Sequence, residues 1–137
     1  MTQKGLIEKI TATAKMEGCN PDKTPTTLAA LGSDAEGAPW NQDHWDCASI
    51  VGMLLCVSNN TRPDIAFAVS QVARHTACPK ESHARAVQHI IQCLAGTVNR
   101  GLTLKHDGAF DLKAWADTDF AGTFGQEPGG NAKSVKS

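Results

Sequence analysis

No CxxC pair occurs anywhere in the chain, and its five cysteines, Cys19, Cys47, Cys56, Cys78 and Cys93, are odd in number. Neither a disulfide framework nor a structural zinc site is built that way. His44 and Cys47 form one close His/Cys pair, but no second pair follows at metal-ligand spacing. Cys56 and Cys93 fall at apolar helical positions and read as packed thiols. Long hydrophobic runs are also missing. The longest, "IVGMLLCV" (Ile50 to Val57), is eight residues, too short to cross a bilayer. The stretch "MTQKGLIEKI" contains no apolar leader. These absences point to a reducing, intracellular setting and to no membrane partner. Tyrosine is absent, and aromatics make up 5% of the 137 residues. Surplus charge is missing too. The 13 Lys/Arg face 14 Asp/Glu, a net charge of −1, so no overall basic field marks a nucleic-acid binder.

What is present is unevenly spread. From Thr61 to His106, six cations (Arg62, Arg74, Lys80, Arg85, Arg100, Lys105) face two acids (Asp64, Glu81), so this stretch carries +4 and the remainder −5. His75, His83, His89 and His106 lie there as well. The middle third therefore offers a modest positive face. With 41% hydrophobic residues, the chain suits one soluble domain of modest size.

Helical periodicity organises most of it. Leu6, Ile7, Ile10 and Ala14 predict a helix over 5–16, ended by Gly18 and Asn20-Pro21. Asn20 to Asn41 is rich in Pro, Gly, Thr and Asp without a period, and reads as a linker. Three helices follow. Cys47, Ile50, Val51, Leu54 and Leu55 form the first stripe, and Asn59-Asn60 stops it. The second opens at "TRPD", with Thr61 as a cap, Pro63 in the first turn and Asp64 on the helix dipole. Its stripe is Ile65, Ala68, Val69 and Val72. The third takes Ser82 as N-cap and Gly96 as C-cap, with Ala84, Val87, Ile90, Ile91 and Leu94 buried. Short connectors make the three antiparallel neighbours. Trp40 and Trp45 flank the linker's end and read as packing on the bundle, with base stacking the lesser alternative. After Gly96 the pattern changes. "GLTLKH" and "DLKAWADTDF" alternate apolar and polar residues around Asp107-Gly108, a β-hairpin signal. On its second strand Asp117 and Asp119 share a face, as paired acids that hold a metal ion would.

The run "SIVGMLLCVSNNTRPDIAFAVSQVAR" (Ser49 to Arg74) resembles the thumb and connection helices of the Pol polyprotein of copia-type LTR retrotransposons. "TQKGLIEKI" is similar to the segment after that family's polymerase palm, and Thr24-Pro25 to the dipeptide before its thumb. "PKESH", "LAGT" and "GLTL" follow in the family's order. "ADTDFAG" (Ala116 to Gly122) resembles the opening strand of its ribonuclease H domain, and "SVKS" lies where a second strand begins. The fold expected is α+β: a small antiparallel helical bundle followed by a truncated β-hairpin of a ribonuclease H-like sheet. The resemblance divides the chain into a helix after the palm (1–20), a linker (21–43), thumb and connection helices (44–97) and an incomplete ribonuclease H-like domain (98–137).

The family implies RNA-directed DNA synthesis and cleavage of the RNA strand of RNA–DNA hybrids. Carboxylates and Mg2+ clamp the attacking and leaving oxygens. Asp117 matches the first metal-binding aspartate of the ribonuclease H site. Asp119 matches the second acid of the motif, a structural or supporting group, with metal ligation as the other reading. The polymerase aspartates would lie upstream and the remaining ribonuclease H acids downstream. The expectation is therefore no catalysis by this chain alone and no Mg2+ stably bound, although the intact parent enzyme uses Mg2+. Partners implied are RNA–DNA hybrid, DNA or RNA, and the remainder of the Pol polyprotein. The setting implied is a virus-like particle in the cytoplasm, or the nucleus. Arg62 has two readings, a phosphate contact or a brace with Asp64 for the helix start. Arg74 and Arg85 are the other candidates for backbone contacts, against the alternative of a solvated face. His89 and Gln92 stand where the family carries Lys or Arg, which removes phosphate contacts. The alternative function is a small non-catalytic module that binds nucleic acid or another protein.

Overall fold

Helix boundaries follow the local hydrogen-bonding chemistry of each segment. The computed structural model describes residues 1–25, 31–41, 43–104 and Gly108. Helix α1 spans Lys4–Thr13 and buries Ile7 and Ile10. It stops short of the expected 16. Thr11 Oγ1 donates to the Glu8 carbonyl and Thr13 Oγ1 to the Lys9 carbonyl, each at 2.8 Å. Such back-bonding competes with the helical ladder, and Lys15 then turns left-handed at φ 55°. Helix α2 spans Cys47–Asn60. Its cap is Asp46, whose carboxylate accepts from the Ala48 and Ser49 N–H groups at 3.2 and 3.1 Å. The Ser49 hydrogen bonds hold the Asp46 carboxyl below its usual range. Cys47, Ile50, Val51 and Leu54 are buried as their stripe requires, while Leu55 sits at its edge and is partly exposed.

A 3₁₀ turn at Pro63–Ile65 leads into α3, Ala66–Ala73. Ile65, Ala68, Val69 and Val72 face inward, as the spacing predicts. Thr61 closes α2 instead of opening α3: its N–H returns to the Val57 carbonyl. Helix α4 spans Glu81–Gly96. Its cap position is Lys80, not Ser82, because the His83 ring accepts the Lys80 N–H at 3.1 Å. At the other end Gly96 is still helical and Thr97 caps. Gly96 has a different role. A Cβ there would come within 2.6 Å of the Pro21 Cβ, so glycine lets the chain after α1 cross α4.

The four helices share one core. Ile7 and Ile10 share it with Ile50, Leu54 and Val57 of α2, Val69 and Val72 of α3, and Val87, Ile90, Ile91 and Leu94 of α4. Each fully buried aliphatic contributes about 1.5–3 kcal/mol relative to exposure. Helices α1 and α3 each lie against both α2 and α4. Neighbours run antiparallel. The start of α3 reaches the end of α4 through Arg62 and Thr97, and its end reaches the start of α4 through His75 and His83. Trp45 belongs to the core and Trp40 packs against it, its Nε1–H donating to the Trp45 carbonyl at 3.2 Å. Cys93 is buried as expected, whereas Cys56 is exposed. The expected hairpin falls largely outside the described residues. Its described part, 101–104, forms no strand. There the Leu102 N–H donates to the Met1 carbonyl at 3.0 Å, and side-chain-free Gly101 admits the approach.

Candidate functional site

The two readings of Arg62 separate in the geometry. Its side chain is 1% exposed. Nε and Nη2 donate to the two carboxylate oxygens of Asp64, both at 2.9 Å. Nη1 donates to the Thr97 carbonyl at 3.0 Å, and Nη2 also to Thr97 Oγ1 at 2.8 Å. Thr97 Oγ1 in turn donates to the Cys93 carbonyl at 2.7 Å. The guanidinium fork is thus filled by one carboxylate and the end of α4, which is the bracing geometry, and it presents no face to a phosphate. A planar fork with fixed donors is what this needs, so arginine and not lysine fits. Hydrogen bonding from Arg62, with its positive charge, holds the Asp64 carboxyl below the ordinary 3.8, and Arg100, 3.8 Å from the same carboxylate, adds to this. "TRPD" and "LAGT" are therefore the two halves of one clasp. Thr97 was not singled out from sequence. The signal that could have found it is a threonine one position past the end of a helix, placed to meet a distant arginine.

The other cations stand elsewhere. Arg85 is on the outer face of α4, its side chain 79% exposed, with Glu81 3.8 Å away. Arg74 follows the last turn of α3 and is exposed. Arg100, absent from the sequence candidates, is exposed beside the clasp. The His89 side chain and the Gln92 main chain both hold the segment after α1. His89 Nδ1 lies 3.3 Å from the Asp22 carboxylate, and the Gln92 carbonyl accepts the Asp22 N–H at 3.4 Å. They fasten the segment after α1 onto α4. Asp117 and Asp119 lie outside the described residues. Among the described residues, no three His, Cys, Asp or Glu side chains group so as to hold a metal ion. Of the His44/Cys47 pair, Cys47 is buried, which pushes its thiol up, and His44 leans on Trp40. No helix among the described residues is long and apolar enough to cross a membrane.

Comparison with known proteins gives the context of these motifs. The chain is 33% identical over 122 residues to the retrovirus-related Pol polyprotein from transposon RE1 of Arabidopsis thaliana, covering 89% of this chain and 8% of that one. Identity to the corresponding polyprotein from transposon RE2 of the same plant is 34% over 80 residues, covering 58% of this chain and 5% of that one. The Pol polyprotein from transposon TNT 1-94 of Nicotiana tabacum is 31% identical, over 89% of this chain and 10% of its own length. No family model and no solved structure matches. The chain thus spans a tenth or less of these relatives. Its relatives thus include the retrovirus-related Pol polyproteins of transposons, of which it matches one short stretch.

Proposed function

We propose that the chain is the thumb and connection region of a copia-type reverse transcriptase with the opening of its ribonuclease H domain, and that it catalyses nothing alone. The observation that carries this is the match over 89% of the chain to a Pol polyprotein of which it covers only 8%, joined to a helical body that brings "TRPD" and "LAGT" together. In the parent polyprotein this body would help hold the RNA–DNA hybrid. Asp117 would supply one ligand, with Asp119 beside it, to Mg2+ in the complete ribonuclease H site. One or two carboxylates do not fix a two-metal cluster, which needs further acids to clamp both oxygens of an in-line displacement. The partners are then hybrid duplex and the rest of the polyprotein, in a cytoplasmic virus-like particle or the nucleus.

The test is the purified chain with Mg2+ on a labelled RNA–DNA hybrid. The expected outcome is no cleavage and no primer extension. Robust cleavage that Asp117→Asn abolishes would overturn the reading. A second reading, a non-catalytic nucleic-acid-binding module, is favoured by the exposed Arg85, Arg74 and Arg100. Filter binding to the same hybrid across salt tests this second reading. Affinity falling with salt, by about 0.9 in log–log slope per phosphate neutralised, supports the module. No binding at low salt removes it.

A further inference from the structure

Residues 31–40 look like open linker in the sequence, yet they are tied along their length to the start of α4. His83, 1% exposed, is the centre of these ties. Its Nδ1 lies 3.1 Å from the Lys80 backbone nitrogen. A backbone N–H can only donate, so Nδ1 is the bare nitrogen and Nε2 carries the proton, donated to the Gly32 carbonyl at 2.9 Å. The His75 ring stacks on His83 at 4.3 Å and 11°, with its own Nε2 3.3 Å from the Leu31 carbonyl. Farther along, Ser82 Oγ donates to Asp34 at 2.6 Å, the Glu81 N–H to the Ala38 carbonyl at 3.0 Å, and the Trp40 N–H to the Pro79 carbonyl at 3.0 Å.

We propose that residues 31–40 are a strap over the α3–α4 connection, closed while His83 is neutral and released when it is protonated. A second ring proton must go to Nδ1, where it meets the Lys80 N–H. The cap bond is then lost, and two hydrogens face each other. The new charge sits in the first turn of α4, where the helix dipole opposes a cation, and stacks on a second titratable ring. The ionisable groups around it are His75 on the stack, Arg74 at the end of α3, Lys80 and Glu81 at the head of α4, and Asp34 on the strap. Asp34 accepts from the Ser82 hydroxyl. Histidine is the side chain whose charge changes nearest neutrality, and a proton taken up here would act on the strap and not on the aliphatic core beneath it.

The seam has its own reporters, the amides of Trp40, Lys80 and Glu81. Amide exchange of the full chain, corrected for the intrinsic rate at each pH, is measured by NMR near pH 7.5 and pH 5. The expected result is that these three lose about tenfold or more of their protection at the lower pH, while Leu54 and Ile90 keep theirs. His83→Gln retains a donor for the Gly32 carbonyl without a titrating ring, and its seam should show no pH response. Asp34→Asn should keep the wild-type response. Seam protection unchanged at pH 5 overturns the proposal, as does a His83→Gln chain that responds like wild type or an Asp34→Asn chain that does not respond. Should His83→Gln fail to fold, the wild type decides alone: the His83 ring titration must share its midpoint with seam opening, and separate midpoints sink the proposal.

Discussion

At the scale of single residues, the clasp around Arg62 has the largest consequences. Arg62 is the buried member of its ion pair and Asp64 the exposed one, so losing the arginine leaves a carboxylate that water can reach. Arg62→Met is expected to cost about 1–3 kcal/mol in denaturant melts, because Asp64 and the Thr97 carbonyl both lose donors. Arg62→Lys should recover less than half of that, since a single ammonium cannot replace the two-pronged contact. The same clasp sets an acid limit. The Asp64 carboxyl lies lower in the folded chain than in the unfolded one, chiefly through its hydrogen bonds from Arg62. The unfolded chain therefore takes up the proton first as pH falls. The stability Asp64 contributes is complete above its ordinary 3.8 and is lost as pH drops through its lower folded value. Asp64 is 40% exposed, so solvent screens part of this. Asp64→Asn should be less stable than wild type at neutral pH, with the difference shrinking below about pH 4. A constant difference across that range would place the stabilisation elsewhere.

At the scale of elements, glycine positions separate helix propensity from packing. Gly52 in α2 has nothing within 4 Å of a built Cβ, whereas Gly96 in α4 faces the Pro21 Cβ at 2.6 Å. Gly52→Ala should stabilise by about 0.5–1 kcal/mol, the ordinary helix-interior gain. Gly96→Ala should destabilise by about 1–2 kcal/mol, because the pressed atoms belong to a proline ring with little room to move. Urea midpoints of the two variants, moving in opposite directions, check both. The elements also show what was legible. The stripes of α2, α3 and α4 were readable because burial follows 3.6-residue spacing, and Ala84, Val87, Ile90, Ile91 and Leu94 are all inside. The caps were not. Ser82 has the chemistry of an N-cap, but its hydroxyl goes to Asp34, and a histidine ring three residues past Lys80 does the capping. Threonines that bond back to their own helix shortened α1. Arg62 was legible as a candidate and ambiguous in role, because its decisive partner, Thr97, lies 35 positions away. Local pattern carries no information on such a pairing.

At the scale of the molecule, the open question is whether the first twenty residues belong to the helical body or are joined to it. In the described structure Ile7, Ile10 and Ala14 sit in the same core cluster as α2, α3 and α4. Gln3 Oε1 accepts from the Thr61 hydroxyl at 3.0 Å, and Asp22 is fastened to α4 at Gln92 and His89. Elements that share a core lose it together, since a cavity in one place removes contacts from all its walls. Ile10→Ala should therefore cost about 2–4 kcal/mol, and the loss should appear equally wherever opening requires global unfolding. Hydrogen exchange of the full chain gives the reading. The slowest amides of α2 and α4 should lose as much protection as those of α1. If Ile10→Ala loosened α1 alone and left Leu54 and Ile90 as protected as before, α1 would be an appended helix and the shared core would not be a cooperative one.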